Sequence, residues 1–189
     1  MTRSMDRTGH HRYADDVETS PAQPNRRDTA MAIQIATGVG TASTPLAAFD
    51  AALCEMGVGD YNLIRLSSVI PSGASVRHVD QVDQRARHGD GLYCVYAEEH
   101  ATVPGASAAA GIGWVVKSDG SGSGLFVEHE GSSEREVATQ IRASLKDMTA
   151  YRGGGYDAPQ MCIETAVCVD KPVCVMVMAA YTGMWWDIR

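Results

Sequence analysis

The chain has 189 residues, with 23 acidic against 16 basic side chains and a formal charge of −7. That length supports one sizeable core and is short for two. The acidic balance excludes nucleic acid and anionic membrane surfaces as general partners, since both select clustered Lys and Arg.

Residues 1–30 are rich in charge, Thr, Pro and Asn with no apolar period. They read as a flexible polar extension ahead of one domain over residues 31–189. Met1 to Arg12 holds no continuous apolar stretch of the secretory kind, so the cytoplasm is the expected compartment. From Met161 to Tyr181 the chain is strongly apolar, but Glu164, Asp170, Lys171 and Pro172 divide it before it could span a bilayer, and no membrane association is expected.

Ala32 to Val39 predicts a strand, with Gly38 and Gly40 interrupting it at a turn whose backbone can approach a ligand or another chain. Thr44 and Pro45 fit the cap and first position of a helix whose stripe is Leu46, Phe49, Leu53 and Met56, stopped by Gly57. Asn62 to Ile70 reads as a strand broken at Ser67-Ser68, with Pro71, Ser72 and Gly73 enforcing the turn that follows. His78 to Asp90 is polar and expected at the surface.

Further strands are expected at Gly91–Glu99, Ala109–Val116 and Leu125–His129, the last two joined by a flexible Gly-Ser connection. On the last of these Glu128 shares a face with Phe126, a setting that desolvates a carboxyl, raises its pKa and suits it to proton transfer. Ser133 with Glu136 forms a capping box for a second helix with a stripe of Val137, Ile141, Leu145 and Met148. After Arg152-Gly153-Gly154-Gly155 two strands follow, near 161–169 and 173–181. Many strands with two helices predict an α+β fold, a layered αββα-type sandwich, over a doubly wound nucleotide fold.

Walker A, H-E-x-x-H and G-x-S-x-G are absent, and Cys54, Cys94, Cys162, Cys168 and Cys174 include no C-x-x-C pair. They read as small buried thiols, and no metal is expected.

The serine pair carries the chemistry. If the turn brings the Ser68 hydroxyl onto the Ser67 carbonyl, the Ser67-Ser68 amide becomes an ester. Elimination then leaves a dehydroalanyl end, and hydrolysis turns that end into a pyruvoyl ketone. Two serines before a turn also close many ordinary strands, so the dipeptide needs its surroundings. These are Thr44-Pro45-Leu46-Ala47-Ala48-Phe49-Asp50, Gly57-Val58-Gly59-Asp60-Tyr61-Asn62-Leu63, Ser67-Ser68-Val69-Ile70-Pro71 and Gly124-Leu125-Phe126-Val127-Glu128. Taken in this order, from about Ile33 to Trp186, the chain closely resembles the pyruvoyl-dependent arginine decarboxylases.

The resemblance implies a self-cleaving precursor cut between Ser67 and Ser68, with Ser68 becoming the pyruvoyl cofactor. It implies decarboxylation of L-arginine to agmatine and carbon dioxide, and a homotrimer of processed two-chain protomers with sites between subunits. Asn62 would polarise or position the reaction centre, Glu128 would handle a proton, and Asp50 would bind the guanidinium end through two hydrogen bonds. Other readings stay open: Asp50 as a helix-surface charge, Asn62 as a turn residue, Glu128 as the structural partner of an Arg or His. The polar stretch 78–90 and the segment His100–Pro104 leave room for another amino acid substrate. A noncatalytic oligomeric binding protein that keeps the fold unprocessed is the alternative from a different class.

Overall fold

The computed structural model describes residues 31–83 and 87–184, so the extension over residues 1–30 lies outside the described residues. Among these residues there are nine strands and two helices. The strands form two sheets, a five-stranded one of order β2-β5-β9-β1-β4 and a four-stranded one of order β3-β7-β6-β8. In the first, β1 (Ala32–Thr41), β2 (Asn62–Arg65), β4 (Ser75–His78), β5 (Gly91–Ala101) and β9 (Val173–Met184) assemble around β9. The second holds β3 (Val69–Ile70), β6 (Ser107–Val116), β7 (Gly124–Gly131) and β8 (Gln160–Val167). This is the expected α+β fold.

Alternating side chains divide the apolar residues between faces. Ile33 and Ile35 of β1, Val95 and Ala97 of β5, and Val175, Val177 and Ala179 of β9 meet Ala110, Ile112 and Trp114 of β6 and Phe126 of β7 in one buried cluster. The opposite face of the five-stranded sheet packs Ala36, Leu92, Cys94, Met176 and Met178 against α1 (Pro45–Glu55). The opposite face of the other sheet packs Ala109, Val115, Leu125 and Val127 against Val137, Ile141 and Leu145 of α2 (Glu134–Tyr151). No helix among the described residues is long and apolar enough to cross a membrane.

Both helix starts follow the sequence signals. The Thr44 hydroxyl accepts from the Ala47 amide at 3.2 Å with Pro45 at the first position, and the Ser133 hydroxyl accepts from the Glu136 amide at 3.4 Å. Glu136 reaches one residue further back than a standard capping box, accepting from the amide and the hydroxyl of Ser132, each at 2.9 Å.

Several expectations need correction. Leu46 is 76% exposed, and the buried stripe of α1 is Ala48, Ala52 and Leu53, continuing into Met56. Cys54 is exposed, unlike the thiols of Cys94, Cys168 and Cys174. The polar stretch from His78 to Asp90 buries Val82 and Asp90, and the sequence reading did not anticipate β4, which pairs in parallel with β1. Nor do Gly38 and Gly40 interrupt β1, which stays paired with β9 through Thr41. These glycines are there for the helix: a Cβ on Gly40 would lie 1.9 Å from the Ala48 carbonyl oxygen and 2.5 Å from the Ala52 nitrogen, and one on Gly38 2.4 Å from the Ala52 oxygen. The close partner is α1 rather than a ligand.

Because those neighbours are helix backbone, relief requires the helix to move as a unit. Gly40→Ala should therefore lower stability by about 2–3 kcal/mol. The measurement is the denaturant midpoint at unchanged slope, and an unchanged midpoint would show that α1 does not seat as described.

Candidate active site

The serine pair occupies the place where the chain changes sheets. The Leu66 amide still donates to the Cys94 carbonyl at 2.9 Å, continuing the parallel pairing of β2 with β5. Two residues later the Ser68 carbonyl accepts from the Phe126 amide at 2.8 Å, and Val69 then pairs with Leu125 of β7. Such an abrupt change of partner needs an unusual backbone angle. Among the described residues Ser68 is the only non-glycine with positive φ, at 64°. An L residue with a Cβ holds that conformation at a cost of about 1–2 kcal/mol, a type of strain that clusters at functional sites.

The Ser68 hydroxyl points at Glu128, with its oxygen 2.7 Å from Oε1 and 2.9 Å from Oε2. One proton serves both contacts, and the carboxyl accepts from the serine. The period of two along β7 places Glu128 on the same side as Phe126, which is fully buried between the sheets. Burial pushes the Glu128 carboxyl above the usual carboxylate range, opposed by the Ser68 hydrogen bond and then by the positive charge of Arg65. The site therefore holds a hydroxyl, a proton acceptor aligned with it and a carboxyl able to carry a proton nearer neutrality.

Two neighbours escaped the sequence reading. Arg65 donates to the Tyr96 carbonyl at 2.8 Å and lies over the Tyr96 ring, 4.6 Å from its centre. A lone cation in the strand leading into the serines was a usable signal for it. Tyr181 donates its phenol to the Val69 carbonyl at 3.0 Å. Burial pushes that phenol well up, and the Glu128 charge adds to the shift. With 112 residues separating the partners, no local pattern could have found Tyr181.

The remaining expected site residues lie elsewhere. Ser67 is exposed beside Ser68. Asn62 is exposed at the far end of β2, with its amide nitrogen donating to the Gly89 carbonyl at 2.7 Å. Asp50 is exposed on α1, across the five-stranded sheet from the core between the sheets. Within one chain, then, Ser68 and Glu128 meet while Asp50 and Asn62 stand apart from them. On the α1 side a cavity of about 360 Å³ is lined by Pro45, Leu46, Phe49, Tyr96, Glu98 and His100. His100 belongs to β5.

The family profile for pyruvoyl-dependent arginine decarboxylase matches residues 32–183. Proteins of that description from Halobacterium salinarum are 36% identical over 151 residues, covering 79% of this chain and 92% of theirs. One from Methanococcus vannielii is 34% identical over 126 residues, 66% of this chain and 74% of its own. Another from Pyrococcus horikoshii is 38% identical over 111 residues, 58% of this chain and 68% of its own. The matched span takes in both sheets, both helices and the turn that sets Ser68 against Glu128, and the chain belongs to the pyruvoyl-dependent arginine decarboxylase family.

Proposed function

We propose that the chain cuts itself between Ser67 and Ser68, converts Ser68 to a pyruvoyl group, and decarboxylates L-arginine to agmatine and carbon dioxide. The observation that carries this is the strained Ser68 with its hydroxyl on the half-buried Glu128 carboxyl. Ser68 fits the precursor role: its oxygen has a proton acceptor in place, and its own carbonyl is held by the Phe126 amide, leaving the Ser67 carbonyl as the one attacked.

In the cut, Glu128 takes the hydroxyl proton as the oxygen adds to the Ser67 carbonyl carbon. The carbon–nitrogen bond breaks, and the proton passes to the departing amine, leaving an ester. Loss of the residue-68 α-proton and cleavage of the Cβ–O bond give Ser67 a carboxylate and residue 68 a dehydroalanyl end. Water then replaces its nitrogen, released as ammonia, with a ketone.

A pyruvoyl group at position 68, held through its carbonyl by the Phe126 amide, would supply the ketone for the substrate amine and the sink for the electron pair freed with carbon dioxide. Glu128, its affinity for a proton raised by burial, returns a proton to the carbon that lost its carboxylate. The Phe126 amide holds the carbonyl beside the reacting group. Asp50 binds the guanidinium and Asn62 orients the centre. Since neither lies beside Ser68 in its own chain, a second copy would bring them there, in the homotrimer with sites between protomers that the family resemblance implies. The packing of α1 and α2 on the outer faces of two facing sheets supports the αββα-type layering. We assign residues 31–189 to this domain, residues 1–30 to a polar extension, and the enzyme to the cytoplasm as part of polyamine formation.

Intact mass of the purified protein should reveal two pieces that meet at 67 and 68, the longer one reacting with a carbonyl probe. The same preparation should release carbon dioxide from arginine far faster than from lysine, ornithine or aspartate, which lack the planar forked cation. A single unlabelled chain would favour the noncatalytic alternative, and equal turnover of ornithine would remove arginine as the substrate.

A further inference from the structure

β9 carries an irregularity that the fold alone does not require. Tyr93 of β5 pairs with Thr182 and Cys94 with Ala180, so Tyr181 is the extra residue of a bulge between them. Bulges re-aim side chains and recur beside reactive centres. Tyr181 nonetheless keeps the face of Val175, Val177 and Ala179, is 5% exposed, stacks edge-on to Phe126 at 6.0 Å between ring centres, and places its phenol 3.0 Å from the Val69 carbonyl. Tyr181 thus comes from the five-stranded sheet and holds a residue of the four-stranded one.

This contact matters because of what the cut would remove. In the unbroken chain Ser68 is fixed from upstream through Leu66 on β5. Once residue 68 becomes a chain end, the tethers beside it are the Phe126 amide on its carbonyl, the pairing of β3 with β7, the buried Ile70 side chain and the Tyr181 phenol on Val69. β3 is only two residues long, and Val69 is 48% exposed. So short an edge strand frays readily by itself.

We propose that Tyr181 is a positioning residue, whose phenol clamps the Val69 carbonyl and keeps the residue-68 end of the cleaved chain seated against Glu128. This rests on the self-cleavage reading above, so the test separates the two. Tyr181→Phe keeps the ring and deletes the clamp. In the uncleavable Ser68→Ala background it should speed hydrogen exchange of the segment 69–72 by about tenfold, the scale of one lost buried hydrogen bond. In the cleaved enzyme it should lower kcat by about tenfold with KM nearly unchanged, because the group that moves is the reacting one.

Tyr93→Phe is the control. Its phenol donates to the Met184 Sδ at 3.3 Å beside the same bulge rather than to Val69, so its loss should leave both readouts at their reference values. Exchange unchanged in Tyr181→Phe would overturn the clamp, whatever the fate of the enzyme reading. Faster exchange with normal kcat would overturn its bearing on the reaction. An uncut wild type would end the pyruvoyl reading, and the positioning role with it, while the exchange experiment would still report whether the contact holds the segment.

Discussion

Ser68→Ala should yield a single full-length chain, unreactive toward carbonyl probes and without decarboxylase activity above background. The expectation follows from removing one oxygen. Alanine keeps the Cβ and hence the backbone demand of the turn, the Phe126 amide still has the residue-68 carbonyl to hold, and the sheets are untouched. What disappears is the nucleophile and, with it, the Cβ–O bond whose cleavage would form the dehydroalanyl end, so the loss is complete rather than graded. Ser68→Gly should also stay uncut, yet be more stable than Ser68→Ala by about 1 kcal/mol, since glycine adopts φ of 64° without a Cβ penalty. Two-piece processing of Ser68→Ala, seen by mass, would move the reaction to another bond.

Glu128→Gln should lower turnover by about 10²-fold or more, the scale of a positioned proton donor. The amide matches the carboxyl in shape, and its oxygen can still accept from the Ser68 hydroxyl, so the fold should persist and slow cutting should supply processed protein for assay. The pH dependence sharpens the test. Cutting uses Glu128 as a carboxylate and turnover uses it as an acid. Because burial raises its pKa, the cutting rate of the wild type should climb as pH rises through that value while kcat falls. Stability carries the same sign as kcat. A group whose folded pKa lies above its unfolded value stabilises the fold at low pH, and that contribution is lost as pH rises through the folded pKa. Glu128→Gln should flatten both profiles. Wild-type kcat in fully processed Glu128→Gln would refute the proton role.

The parts of this molecule governed by neighbouring residues were readable in the sequence. Thr44-Pro45 and Ser133-Glu136 announce helix starts because a cap is made by residues three apart, and the alternation that buries Phe126 also aims Glu128. Where a distant element decides, the sequence misleads. Gly38 and Gly40 look like a break in β1 until α1 is seen lying on them. Leu46 looks like core because its helix is apolar on more than one side, yet the sheet takes Ala48 and Ala52 instead. Tyr181 acquires its contact because the facing of the two sheets brings Val69, 112 residues away, within reach of its phenol. The placement of Asp50 and Asn62 away from Ser68 is likewise a matter of topology, to which spacing along the chain is blind.

The route of the chain through the sheets also bears on what a severed molecule can do. Among the described residues ahead of the proposed break, β1 and β2 belong to the five-stranded sheet and α1 packs on its face, and β1 lies between β9 and β4, both of which follow that point. On the proposed cut the smaller fragment would therefore stay interlocked with the larger. Unfolding would be another matter: an uncut precursor refolds as one molecule, whereas two pieces must find each other again in solution. Recovery of a cut form from denaturant should thus be a second-order process that fails on dilution, and cutting would exchange reversible folding for reactivity.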